Sequence, residues 1–146
     1  MKYKLKILTA YYVQRFKDFL LYVWQFPQNI AGFVISRKAR ASNSLIPLSF
    51  KVRVYWVKGF FGSAVSLGQY IVIDEVFMNS KESVNIKKHE YGHSRQSVML
   101  GWLYLPVVGL PSLVRNIYAR LRHKDEKWYY GGFPENWADR LGGVER

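Results

Sequence analysis

Apolar and polar positions divide the first third of the chain into a basic start and an uncharged run. The run covers residues 19–36, 18 residues, which is close to the shortest length that spans a bilayer. Pro27 and three amide side chains interrupt its middle. We predict a helix to about Phe26, a break at Pro27, and a second short apolar helix to Ile35. A buried helix pair and a membrane-surface anchor explain this pattern equally well.

The hydrophobic period changes to two in the next third of the chain. It follows a segment at residues 41–48 whose Ser, Asn and Pro residues predict a linker. Apolar and polar residues alternate over residues 51–56, which indicates a half-buried strand. Further strands are predicted at residues 63–67 and 69–76, with Gly68 between them at a bulge or tight bend. We expect these strands to form a short antiparallel sheet.

A helical pattern follows, running from Asn79 to about Leu100. Asn79 is a candidate cap, and Glu82 stands three residues later, as in a capping box. Gly92 lies in the middle of this helix, where glycine is unfavourable, so another element is expected to approach it closely. Three apolar residues recur every seven positions and are expected to face the core: Val84, Tyr91 and Val98.

Residues 97–114 form a second uncharged run of 18 residues, interrupted by two glycines and two prolines. These interruptions exclude one straight spanning helix and favour a buried or membrane-dipping broken segment. A polar, basic helix is predicted over residues 115–127, and a loop at residues 128–132. A last short helix is predicted with Pro134 in its first position and Gly142 at its end. Strands followed by helices give the fold class α+β.

Composition adds a size and a charge to this picture. A chain of 146 residues suits a single domain, residues 1–146, in which residues 1–45 form an N-terminal segment of apolar helices and residues 46–146 the core. Lys and Arg number 22 against 10 Asp and Glu, so the net charge of +12 predicts an anionic partner. The uncharged runs favour an anionic membrane surface over nucleic acid, since no recognisable nucleic-acid-binding motif is present. The absence of cysteine excludes disulfides, thiolate nucleophiles and zinc ribbons.

The sequence HEYGH at residues 89–93 carries the candidate chemistry. On a helix, His89 and His93 are one turn apart and face the same side, so both imidazoles can bind one metal ion. Glu90 lies beside them as a carboxylate that can accept a proton from a water molecule at the metal. This arrangement is what zinc-dependent hydrolysis requires.

A catalytic zinc usually takes a third protein ligand, and the candidates follow the motif. They are His123, Asp125, Glu126, Glu135 and Asp139. Glu135 and Asp139 are four residues apart on the last predicted helix, so one can bind zinc while the other hydrogen-bonds a ligand histidine. Each has a simpler explanation, since Glu135 suits a helix first turn as a solvated acid and Asp139 suits a salt bridge. His123 lies among basic residues, which favours a solvated surface histidine.

Together, the HEYGH sequence and ENWAD at residues 135–139 resemble the pattern HExxH…ExxAD of gluzincin metallopeptidases. The similarity covers about residues 65–143. It extends to integral-membrane gluzincins, to their minimal soluble relatives and to small bacterial proteins grouped with the metallopeptidases. The resemblance implies a zincin-like domain with an HExxH helix and a C-terminal helix that bears the glutamate. It also implies Zn²⁺ held by His89, His93 and Glu135, with Glu90 as general base. Asp139 would accept a hydrogen bond from a ligand histidine.

The resemblance further implies hydrolysis of a peptide or protein substrate, in the bacterial cytoplasm or at the cytoplasmic membrane surface. By the same analogy the strand at residues 69–76 would pair with an extended substrate. Tyr129, Tyr130 or His123 would hold the oxyanion. The alternative function keeps the zinc without catalysis, in a membrane-associated or toxin-like protein whose metal is structural.

Overall fold

The structure, a computed structural model, describes residues 2–37, 44–46, 52–60 and 63–146. Within these ranges the chain has an α+β fold, as predicted. The helices are α1 (Lys2–Trp24), α2 (Phe26–Ser36), α3 (Ser83–Leu100), α4 (Leu110–Leu121), α5 (Glu126–Gly131) and α6 (Glu135–Gly142). The strands are β1 (Ser44–Ile46), β2 (Val52–Val57), β3 (Ala64–Leu67) and β4 (Tyr70–Asp74).

The sheet has the strand order β1-β2-β4-β3 and is mixed rather than antiparallel. β2 and β4 run parallel at its centre, while β1 pairs antiparallel with β2 and β3 pairs antiparallel with β4. The prediction of an antiparallel sheet was therefore wrong. Every residue of β4 is buried, and a continuous apolar run is typical of a strand covered on both faces. Gly68, at φ +64°, makes the predicted tight bend between β3 and β4.

The hydrophobic core lies between the centre of the sheet and α3. Alternate residues of β2 are buried, as predicted, and meet the apolar residues of β4. Ile86 and Tyr91 of α3 pack against this cluster. The buried residues of the cluster are Val52, Val54, Trp56, Ile71 and Ile73. The sheet thus fixes one side of α3, the helix that carries the HEYGH sequence.

The N-terminal region contains two helices, as predicted, although the break falls at Gln25 rather than at Pro27. Pro27 occupies the first turn of α2, where a missing N–H is tolerated. α1 carries charged residues such as Lys6 and Arg15, so the expectation of two apolar helices is not met there. Part of the predicted linker, residues 44–46, forms β1, and its remainder lies outside the described residues.

The start of α3 was predicted wrongly. The helix begins at Ser83 with Glu82 in the cap position, and Glu82 makes no capping hydrogen bond through its side chain. Asn79 is exposed and precedes the helix by several residues. Val84 is exposed rather than buried, while Tyr91 and Val98 are partly buried. The buried face of α3 is mostly polar. The seven-residue apolar repeat therefore predicted the wrong face for Val84 in the first turn.

The uncharged run at residues 97–114 is broken, as predicted: the end of α3 is followed by a 3₁₀ turn (Gly101–Leu103), a π-helical turn (Leu105–Gly109) and the start of α4. The helix predicted at residues 115–127 is displaced, since α4 begins at Leu110 and ends at Leu121. The predicted loop at residues 128–132 is largely α5, because Asp125 accepts a hydrogen bond from the backbone N–H of Trp128 and caps that helix. α6 begins one residue after Pro134. Among the described residues, none of the helices combines the length and apolar character that a membrane crossing needs.

Candidate metal site

Close packing of α3 against α6 brings the predicted metal ligands together. Gly92 faces α6 so closely that a methyl group there would overlap the carbonyl of Ala138. Gly142 approaches the carbonyl of Lys88 in the same way. These glycines let the two helix backbones meet, as predicted for Gly92. The first residue of α6, Glu135, consequently lies over the two histidines of α3.

Three side-chain atoms converge at this contact. Oε2 of Glu135 is 3.0 Å from Nε2 of His89 and 3.1 Å from Nε2 of His93. All three side chains are buried. They form a group whose ligand atoms all lie within 4.8 Å of one another. The structure therefore places the three residues predicted as metal ligands around one point.

The opposite nitrogen of each imidazole also has a partner. Nδ1 of His89 is 2.6 Å from Oδ1 of Asp139, and Nδ1 of His93 is 2.7 Å from Oε1 of Gln96. Gln96 donates its amide N–H to the carbonyl of Pro134, which turns its oxygen toward His93. Asp139 thus lies where the sequence placed it. Gln96 was missed, although its position three residues after His93 on a helix was a usable signal.

These contacts leave each imidazole between two acceptor oxygens. A neutral imidazole carries one N–H and can satisfy only one of them. A cation bound at both Nε2 atoms and at Oε2 of Glu135 resolves the conflict, because each ring then keeps its proton on Nδ1 for Asp139 or Gln96. The donor set of two imidazoles and a carboxylate suits zinc.

Without a cation, protons lie between the imidazole nitrogens and the carboxylate oxygens. The pKa values of His89, Glu135 and Asp139 shift accordingly. Burial lowers the pKa of His89, but its hydrogen bonds to Asp139 and Glu135 outweigh this and raise it to about 9. Burial likewise opposes ionisation of Glu135 and Asp139, yet hydrogen bonds with the histidines hold the pKa of both carboxyls below its ordinary value. The pKa of Asp139 is lowered further by Arg146, whose Nε is 2.7 Å from Oδ2.

Glu90 lies beside the ligand group and is available for chemistry. Its side chain is buried, and burial raises the pKa of its carboxyl above the ordinary value. Among the described residues, none donates a hydrogen bond to its Oε2. The carboxylate lines a cavity of about 530 Å³ together with His89 and His93. A buried carboxylate with a free oxygen at a cavity wall is placed to accept a proton from a molecule in that cavity.

β3 forms one wall of this cavity. The prediction that the strand at residues 69–76 pairs with a substrate is wrong, because this strand is β4. β4 lies inside the sheet between β2 and β3, so both of its edges are occupied. β3 is an edge strand, like β1 on the opposite side of the sheet, and residues of β3 line the cavity beside Glu90. The carbonyl of Ser66 accepts a hydrogen bond of 3.0 Å from the buried Tyr104 hydroxyl. Sequence order alone could not distinguish the inner strand from the outer one.

The three candidates for oxyanion stabilisation lie in different places. Tyr129 lines the cavity with Glu90. The Tyr130 ring packs edge-on against His89, 5.1 Å between ring centres, and Arg146 covers its other side. Burial raises the pKa of both phenols, so both keep their protons at neutral pH. His123 is exposed and lies outside the ligand group, as its surface interpretation predicted.

Comparison of the chain with family models, curated proteins and solved structures found no match in any of the three. The geometry of the side chains therefore carries the functional argument.

Proposed function

We propose that this protein is a zinc-dependent metallopeptidase of the gluzincin type, with a zincin-like catalytic core. The observation that carries the proposal is the convergence of His89, His93 and Glu135 beside a cavity that the unpaired Glu90 carboxylate lines. The resemblance of the sequence to the HExxH…ExxAD pattern predicts the same roles for the same residues.

Zinc fits the distances from the Glu135 carboxylate to the two imidazoles. Zinc bonds to nitrogen and oxygen of about 2.0–2.1 Å with tetrahedral angles put ligand atoms roughly 3.3 Å apart. The two distances from Oε2 of Glu135, 3.0 and 3.1 Å, are close to this value. Three protein ligands next to a cavity favour catalysis over a structural role, because structural zinc sites usually close with four protein ligands. A peptidase is therefore favoured over a non-enzymatic zinc protein.

Zinc would supply Lewis acidity that lets a water molecule lose a proton near neutral pH. Glu90 would accept that proton through its free Oε2 and return it to the amine that leaves. Asp139 and Gln96 would hold the two imidazole rings in place throughout. Tyr129 lines the cavity with its proton retained, which favours it over His123 as the donor to the oxyanion.

The open edge of β3 supports an extended peptide as substrate. The N–H of Asp74 bonds to the carbonyl of Ser63, so alternation along an antiparallel pair turns the backbone groups of Ala64 and Ser66 away from β4. In the described part of the chain no strand covers this edge. A peptide strand can add there. Since Tyr104 already occupies the carbonyl of Ser66, the peptide would bond to Ala64 and to the N–H of Ser66.

The decisive experiment is digestion of a random peptide library by the zinc-loaded protein, with a chelator-treated sample and a Glu90→Gln variant in parallel. We expect cleavage that requires zinc. Glu90→Gln should retain one zinc per chain and lose at least about 10²-fold in rate, because it removes the general base. Zinc binding without cleavage would favour the non-enzymatic alternative. Equal cleavage by wild type and variant would exclude Glu90 as the base.

A further inference from the structure

Large apolar side chains are exposed along three neighbouring parts of the molecule. Among the described residues, ten such side chains lie on α1, four on α2 and nine within residues 102–121. Exposure of this many large apolar side chains on neighbouring elements is unusual for a protein that meets only water. We call these side chains the apolar surface.

Two hydrogen bonds join the end of α1 to the chain around Trp102. The indole N–H of Trp24 donates to the carbonyl of Val98, and the indole N–H of Trp102 donates to the carbonyl of Val23, both at 2.9 Å. Gly101 lies directly against the Trp24 ring. The end of α1 is thus fixed to the start of residues 102–121, with both indole rings half-exposed.

Charge is distributed unevenly around this surface. Exposed basic residues interrupt it on α1 and follow it after α4, including Lys6, Arg15, Lys17 and Arg122. Asp18 is the only acidic residue in positions 1–73, and none occurs between positions 91 and 124. A separate cavity beside α3 and α6 is lined by acidic and basic residues together: Glu82, Glu126, Asp139 and Glu145 with Lys127, Arg140 and Arg146. Exposed basic side chains therefore accompany the apolar side chains in two stretches of the chain that contain a single acidic residue, Asp18.

The cavity of the candidate metal site meets the apolar surface. Leu110 and Leu113 are both more than half exposed, and both also line the cavity that contains Glu90. Ile35, at the end of α2, lines it as well. The lining of the cavity therefore includes side chains of α2 and α4, and two of them belong to the apolar surface.

We infer that the apolar surface docks on an anionic lipid bilayer and that the cavity of the metal site opens toward the lipid. Apolar side chains would enter the acyl boundary while the interspersed Lys and Arg side chains meet anionic headgroups. A substrate would then enter from the membrane side, as an extended segment of a protein held at or in the bilayer. This access route rests on the proposed peptidase, whereas the docking itself does not.

A bilayer explains the surface better than a second copy of the chain. Pairing of two copies through this surface would bring the basic side chains of both together, at a net charge of +12 each. An anionic bilayer supplies the opposite charge along with the apolar environment. Aromatic side chains with polar ends, such as Tyr11, Tyr12 and Trp102, are also typical of residues at a membrane interface.

Flotation of zinc-free protein with vesicles tests the docking. Two double variants are matched in chemistry and exposure: Val13→Glu with Val114→Glu on the apolar surface, and Val76→Glu with Val84→Glu away from it. The four valines are 48–67% exposed, so both variants should fold like wild type, as checked by thermal unfolding. We expect wild type and the Val76/Val84 variant to float with phosphatidylcholine–phosphatidylglycerol vesicles at low salt. The Val13/Val114 variant should bind at least ten-fold more weakly.

Equal flotation of the two variants, or no flotation of wild type, would overturn the inference. So would a folded Val13/Val114 variant that still binds vesicles fully but loses a dimer seen by gel filtration, because the surface would then cover a second copy. Since zinc and activity do not enter this assay, its failure is distinguishable from failure of the proposed peptidase.

A second measurement tests the orientation of the bound protein. The chain has no cysteine, so Val114→Cys and Val84→Cys each provide a single site for an environment-sensitive fluorophore. On adding the same vesicles, the label at residue 114 should shift to shorter wavelength and that at residue 84 should not change. The reverse pattern, or equal shifts, would contradict a bilayer-facing cavity.

Discussion

At the residue scale, each candidate ligand histidine is fixed at both ring nitrogens. Asp139 and Gln96 orient His89 and His93 from behind, while both Nε2 atoms face Glu135. Partners of this kind set the tautomer and direction of a metal-binding imidazole. The ligand group is consequently preorganised, since zinc would replace protons between atoms that already lie close together.

Replacing Glu135 or Asp139 by alanine should reduce zinc binding to different extents. Glu135→Ala removes a predicted zinc ligand, so zinc should be largely lost to a competing chelator. Asp139→Ala removes only a hydrogen bond to His89, so affinity should fall about 10–100-fold. Zinc titration against a chromogenic chelator measures both. His123→Ala is the control and should bind zinc like wild type, since His123 is exposed outside the ligand group.

The assignment of ligands would be wrong if Asp139→Ala lost the metal and Glu135→Ala kept it. Loss of zinc in His123→Ala alone would instead indicate a site of three histidines.

Gln96→Leu, which replaces the amide by an apolar side chain of similar size, should weaken zinc binding about 10–100-fold, like Asp139→Ala. The reason is that His93 loses the acceptor at its Nδ1. The same titration applies, and thermal unfolding of the zinc-free variant separates a metal effect from a folding defect. Unchanged zinc affinity in a folded variant would show that His93 needs no such partner.

Most of the site at this scale could be predicted from the sequence. The helical spacing of HEYGH predicted that His89, Glu90 and His93 lie together on α3. The resemblance carried by ENWAD added Glu135 and Asp139, which the structure brings within hydrogen-bond distance of His89. The roles of these residues toward zinc stay predictions. Gln96 was missed because glutamine occurs widely without any role in a metal site. Nothing in the sequence selects Tyr129 for the cavity wall, since its position depends on the packing of α5 against α4.

At the element scale, α3 buries polar side chains where a helix usually buries apolar ones. His89, Glu90, His93, Gln96 and Ser97 are all buried, whereas Val84 is exposed. Apolar periodicity therefore failed to identify the inner face in the first turn. The polar face of α3, covered mainly by α6 and β3, departs from the general pattern at the candidate site.

Gly92→Ala tests the contact between α3 and α6. Alanine favours a helix by about 1 kcal/mol over glycine, but its methyl group would overlap the Ala138 backbone and force α6 outward. We expect a net destabilisation of about 1–3 kcal/mol, the usual cost of overpacking. Zinc affinity should fall too, because Glu135 moves with α6. Urea unfolding and the chelator titration measure the two effects.

Gly131→Ala in α5 is the matched control, since nothing surrounds the position of its methyl group. It should leave zinc affinity unchanged and stability unchanged or slightly raised. A Gly92→Ala variant as stable as this control would contradict the close approach of the two helices.

The bounds of the strands could be predicted from the sequence, whereas the order of the strands in the sheet could not. The three strands at residues 51–76 were predicted close to their observed bounds, and the short hairpin between β3 and β4 followed from Gly68. Their lateral order was not predictable, because pairing β4 with β2 depends on how the hairpin docks as a whole. β1 was missed since a strand of three residues carries too few positions for a periodic pattern.

At the scale of the whole molecule, zinc would connect elements that are distant in the chain. Its ligands come from α3 and α6, and 42 residues separate His93 from Glu135. A ligand that binds only the folded state stabilises it, by about 2.7 kcal/mol at 100 times its Kd. Zinc should therefore raise the thermal midpoint of wild type and leave that of a His93→Ala variant unchanged. Equal shifts in calorimetry would place the zinc elsewhere.

Ser97 joins the N-terminal helices to α3, the helix that carries the two candidate ligand histidines. Its hydroxyl accepts hydrogen bonds from the side-chain amides of Gln25 and Gln28, and Gln28 also bonds to the carbonyl of Gly101. Both amides are fully buried, so separating α2 from α3 breaks these bonds together. Residues 46–146 expressed alone should consequently not fold autonomously. The full chain should unfold in one transition by circular dichroism and by tryptophan fluorescence, rather than losing its N-terminal helices first.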